Sequence, residues 1–97
     1  MIKHIVMWRL KEGLDKAASA RAIKEALEGL NGKIPGLLRL EVGINFVADG
    51  EASDVALYSE FESRAALEAY QTHPAHNAAA AVVKAARAER RVVDYEA

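Results

Sequence analysis

The chain has no cysteine, two prolines and six aromatic side chains in 97 residues. Without cysteine there is no disulfide framework, no thiolate nucleophile and no cysteine zinc site. Charge of one sign is missing too: 13 basic and 14 acidic side chains leave a net charge of -1. That balance gives no electrostatic footprint for nucleic acid or an anionic membrane. No apolar run approaches the ~20 residues needed to span a bilayer. The opening Met1-Ile2-Lys3-His4-Ile5-Val6-Met7-Trp8-Arg9 is broken by charge too early for a signal peptide. These absences point to a soluble, cytoplasmic domain with neither nucleic acid nor membrane as partner. Large apolar side chains are also scarce. The chain is 52% hydrophobic, but 20 of those residues are alanine and only 30 are larger. At this length it forms one domain, residues 1–97, burying roughly 60–65% of its unfolded surface. A core this modest favours small, shape-filling helices and a partner subunit.

What is present is regular patterning. Residues 2–10 alternate, with Ile2, His4, Val6, Trp8 and Leu10 on one face and Lys3, Ile5, Met7 and Arg9 on the other. Gly13 ends this strand. Asp15 then caps a helix with Ala18, Ala22, Ile23, Ala26, Leu27 and Leu30 at helical spacing, stopped by Asn31-Gly32. After the Ile34-Pro35-Gly36 connection a second strand places Leu38, Leu40, Val42, Ile44 and Phe46 together. The polar turn 49–53 returns the chain as an antiparallel strand with Val55, Leu57, Ser59 and Phe61 on one face. Ser63 caps a helix carrying Ala66, Leu67 and Tyr70, which breaks at Thr72-His73-Pro74. An alanine-rich helix over about Ala75–Glu89 follows, ending in the basic residues Arg87, Arg90 and Arg91, which would complement its dipole. Val92-Val93-Asp94-Tyr95 makes a short last strand. The order predicts an α+β fold: a ferredoxin-like antiparallel four-stranded sheet with helices on one face. The second sheet face carries Ile5, Met7, Ala56 and Tyr58 among Arg9, Arg39, Glu41 and Glu60. Such a half-apolar face suits burial against a second copy, with charges pairing across a homodimer interface.

Several segments resemble the stress-responsive α/β-barrel (Dabb) family. They are Ile2-Lys3-His4-Ile5-Val6, Ile34-Pro35-Gly36-Leu37, Glu41-Val42-Gly43, Glu60-Phe61-Glu62-Ser63 and Val92-Val93-Asp94-Tyr95. The most distinctive is Tyr70-Gln71-Thr72-His73-Pro74-Ala75-His76. The resemblance covers nearly the whole chain and implies a ferredoxin-like monomer paired as a dimeric α+β barrel. Most of the family has no established activity. Its best-defined catalyst, olivetolic acid cyclase, closes a linear poly-β-keto thioester by aldol condensation. The cyclase's catalytic tyrosine and histidine match Tyr70 and His76, and two further polar residues match His4 and Asp94. Where that enzyme has a histidine on its third strand this chain has Val55, and where it has a tyrosine on its first helix this chain has Leu27. Both changes make the substrate pocket less polar.

Enolisation needs a base near neutral pKa within reach of an acidified C–H, and a donor for the developing oxyanion. His76 supplies the first and Tyr70 the second. Asp94 is expected to hold the His76 tautomer, and His4 to reach the same cavity from its strand. This candidate catalytic set needs no cofactor and no metal. His73 and His76 have the spacing of a shared ion, but Pro74 breaks the geometry that would align them, and a third ligand is lacking. Each residue also has a structural reading: His76 as a cap, Asp94 as partner of a buried histidine, Tyr70 and Trp8 as core. Trp8, Leu27 and Val55 are the expected substrate-binding wall, with Trp8 large enough to fill the space. The expected function is a family homodimer of undefined activity that binds a small carbonyl compound between sheet and helices. The sharper alternative is a cofactor-free cyclase, isomerase or lyase. The third is a non-catalytic structural or stress-protective dimer.

Overall fold

The computed structural model describes residues Met1–Ala97. The order is β1 (Ile2–Leu10), α1 (Lys16–Glu28), β2 (Leu37–Ile44), β3 (Val55–Phe61), α2 (Arg64–Thr72), α3 (Pro74–Ala86) and β4 (Arg87–Glu96). The strands form one antiparallel sheet in the order β2-β3-β1-β4. This is the expected ferredoxin-like α+β arrangement. The alternating faces of β1 and β3 behave as their sequences dictate: Ile2, His4, Val6, Trp8 and Leu10 are buried, as are Val55, Leu57, Ser59 and Phe61. From α1 the core receives Ala20, Ile23 and Leu27; Ala18 and Ala22 face solvent. The caps follow local chemistry. Asp15 accepts a hydrogen bond from Ala18 N, and Ser63 from Ala66 N. His73 ends α2 and begins α3, its Nδ1 accepting from Ala75 N at 3.0 Å, with Pro74 at the first helical position.

Three expectations need correction. First, α3 stops at Ala86, not Glu89, and β4 is ten residues long. Arg87 is already extended, at φ -78° and ψ 141°. Pairing with β1 from Ile2↔Glu96 to Leu10↔Arg87 satisfies the backbone along all of β1 and overrides the helix propensity of Ala86-Arg87-Ala88-Glu89. The arginines therefore lie on a strand and do not complement a helix dipole. Second, Leu38 is half exposed, because a bulge between Leu37 and Arg39 shifts the β2 register there. Third, β2 ends at Ile44, so Phe46 lies beyond the sheet and is 96% exposed.

On the face away from the helices, Met7, Val93 and Tyr95 are large apolar side chains left exposed, and Ile5 and Tyr58 are half-buried. Charges on this face pair within the chain: Arg39 with Glu41 at 2.9 Å, and the Tyr58 hydroxyl donates to Glu60 at 2.6 Å. No helix is long and apolar enough to cross a membrane.

Candidate functional site

The site is built on β1, α2, α3 and β4. His4 points from the central strand β1 towards the helices and is buried. Because the β1–β4 register sets His4 opposite Asp94, its Nδ1–H donates to the Asp94 carboxylate. This differs from the expectation that Asp94 would orient His76: strand pairing assigns the aspartate to the other histidine. Tyr70 projects from α2 and is also buried, with its ring 4.9 Å from that of Phe61, 6.3 Å from His4 and 4.4 Å from His76. His76 occupies the first turn of α3, immediately after the proline break.

Two buried side-chain polar atoms in the protein lack a hydrogen-bond partner, Tyr70 Oη and His76 Nδ1. They belong to neighbouring rings. Burying a polar group unpaired costs about 1–3 kcal/mol, and folded proteins rarely leave such groups unexplained. Burial pushes the Tyr70 phenol up to about 12, so at neutral pH it is a hydrogen-bond donor in search of an acceptor. Burial also lowers the His76 pKa from its usual 6.5, outweighing the opposing influence of the Asn77 side chain and the Gln71 backbone. The nearby Lys84 ammonium adds to the lowering. His76 is therefore a neutral imidazole at pH 7, able to accept a proton.

Both residues line a cavity of about 470 Å³, within the range of small-molecule sites. Its apolar wall includes Val6 and Trp8 of β1, Leu27 of α1 and Leu57 of β3. Trp8 borders this space and does not fill it. Val55 is not part of the wall: it sits opposite Trp8 in the β1–β3 register, buried in the core. The structure thus brings His4, Tyr70, His76, Trp8 and Leu27 to one cavity and leaves Asp94 behind His4. Gln71, Asn77, Lys84, Arg87 and Arg90 also line it, none of them anticipated as site residues. The signal for α3 was available: His76 and Asn77, then Ala80, then Val83 and Lys84 recur at intervals of three and four, one stripe of a helix.

The family model of the stress responsive A/B barrel domain matches residues 2–97. The chain belongs to this family. An uncharacterized protein of Streptomyces coelicolor is 34% identical over 83 residues, 84% of this chain and 86% of that protein. A dimeric protein of unknown function with a ferredoxin-like fold from Bacteroides fragilis is 37% identical, with a TM-score of 0.89, covering 99% of this chain and 95% of that one. A dimeric ferredoxin-like protein from Thermobifida fusca, at 26% identity and a TM-score of 0.88, covers 99% and 90%. Two further neighbours, a hydroxynitrile lyase from Passiflora edulis and an antibiotic biosynthesis monooxygenase, are each 20% identical, with TM-scores of 0.75 and 0.74. They cover 97% and 100% of this chain, and 90% and 98% of their own. At that distance the likeness shows a shared fold alone.

Proposed function

We propose that this stress responsive A/B barrel protein binds a small carbonyl compound between sheet and helices and enolises it without a cofactor. The observation that carries this reading is the pair of buried, unpartnered groups, Tyr70 Oη and His76 Nδ1, on adjacent rings of two residues that line the cavity. The imidazole of His76 takes a proton from the carbon next to the carbonyl, and the C–H electron pair moves into the new C=C bond as the carbonyl oxygen gains charge. Tyr70 donates its O–H to that oxygen, an interaction strongest when the charge has developed. The enolate then attacks a second carbonyl, as in a cyclase, or returns the proton elsewhere, as in an isomerase. His4, fixed by Asp94, is a positioning residue below the Tyr70 ring.

The test is proton–deuterium exchange at the methyl group of acetophenone in D₂O, followed by NMR. Removing a general base slows such a step by about 10²–10⁴. His76→Ala should therefore lose most of the exchange above buffer while remaining folded by circular dichroism. Exchange equal to that of the unmutated protein would refute the assignment.

The second sheet face is the proposed homodimer surface. Exposed Met7, Val93 and Tyr95 support this, as do the dimeric relatives from Bacteroides fragilis and Thermobifida fusca.

A further inference from the structure

The cavity has one chemical property that enolisation alone does not require. The chain carries more acids than bases, yet no aspartate or glutamate lines the cavity, whereas Lys84, Arg87 and Arg90 all do. None of these three side chains takes part in an ion pair of the fold. They donate no intramolecular hydrogen bond either. The carboxylate next along β4 on this face, Asp94, is engaged by His4.

Their convergence results from an irregularity in the sheet. In a regular strand, positions 87 and 90 would point to opposite faces. The register shift between Arg9 and Leu10 sets Leu10 opposite Arg87 and Trp8 opposite Arg90, so both arginines emerge on the helix side. Lys84 reaches the same opening from the last turn of α3. The lining is divided by exposure: Tyr70, Trp8, Leu27 and Leu57 are buried, whereas Lys84 and Arg90 are exposed and Arg87 is half-buried.

We propose that the cavity takes ligands with an anionic oxygen group, a carboxylate or a phosphate, held by Lys84, Arg87 and Arg90 while the carbonyl end reaches Tyr70 and His76. This rests on the enolisation reading for the position of the carbonyl. The anion site itself stands on the charge, pairing and register of the rim. Guanidinium groups suit both oxyanions because their forked N–H groups match two oxygens at once. A carboxylate would belong to the substrate, whereas a phosphate would belong to a carrier or a phosphorylated substrate.

Three acetophenones separate the cases: 4-acetylbenzoate, 4-acetylphenyl phosphate and neutral 4-acetylbenzamide, titrated by calorimetry at low ionic strength. Charge-assisted hydrogen bonds predict that at least one anion binds tenfold or more tightly than the amide, on the order of 1.4 kcal/mol. Added salt should erode that preference. The tighter of the two anions names the source. In Arg87→Gln/Arg90→Gln the preference should collapse; Lys84→Gln, a separate change on a helix, should reduce it. Equal binding of all three probes, saturation by none, or a preference that survives the double substitution would overturn the proposal. Methyl exchange on the same probes keeps the two claims apart. Exchange without anion preference removes only the rim site, and anion preference without exchange removes only the enolisation.

Discussion

Tyr70 and His76 define the residue scale, because their chemistry and their cost to the fold point in opposite directions. A phenol buried without an acceptor destabilises the native state, so Tyr70→Phe, which removes the hydroxyl and keeps the ring packed on Phe61, should raise stability by about 1 kcal/mol. Urea denaturation checks this. His76 gives a pH dependence with a defined sign. Its pKa is lowered in the folded protein, so the unfolded chain binds this proton more readily. The contribution of His76 is fully present above pH 6.5, its usual value, and is lost as pH falls through the folded pKa. Denaturation of the parent and His76→Ala at pH 7.5 and 5.5 should show the parent losing more stability on acidification. Equal losses would contradict a depressed pKa. His4 differs from both, since its partner is present. Asp94→Asn weakens a pairing to a buried imidazole and should cost about 1–3 kcal/mol. In a domain this small that lowers Tm by several degrees.

At the scale of elements, much was legible because the signals are local. The period-two faces of β1 and β3, the Ser63 cap and the proline break between α2 and α3 needed no knowledge of neighbours. The break also made the Tyr70–His76 juxtaposition readable, since it turns the chain between two helices that face one cavity. What escaped local reading was settled across the sheet. Leu38 and Arg87 lie at bulges, and a bulge depends on the partner strand. Phe46 continued an alternating pattern for which no paired strand remained. The expected Asp94–His76 pairing gives way to Asp94–His4 because sequence cannot show which histidine a strand register sets opposite the aspartate. The connection before β2 gives a testable case of close approach. Gly36 has φ +82°, and a Cβ there would lie 2.5 Å from that of Ala66 on α2. Gly36→Ala should cost about 1–3 kcal/mol or more, through left-handed backbone strain and the clash together. Gly50→Ala, where nothing lies within 4 Å, is the matched control.

The whole molecule is a one-layer sheet with helices on one side, and that asymmetry organises its surfaces. The helix side holds the cavity; the opposite side leaves Met7, Val93 and Tyr95 exposed. The molecule measures 37 × 26 × 17 Å along its principal axes, and a stable interface takes ~800 Å² per partner. Light scattering at micromolar concentration should give twice the chain mass of 10.5 kDa, and Val93→Asp, placing a charge in that face, should shift it towards the monomer. A monomer in the parent protein would refute the interface. The strand residues that line the cavity point to the helix side, so a dimer formed through the opposite face leaves the site complete within one protomer.

The central claim is that Tyr70 and His76 lack partners because a substrate supplies them. Tyr70→Phe tests it most directly when Tm and acetophenone exchange are measured on the same preparation. The account predicts a Tm equal to or above that of the parent, together with exchange slowed by about 10²-fold or more. A Tm several degrees lower with exchange unchanged would show that the hydroxyl serves the fold, and would contradict the account.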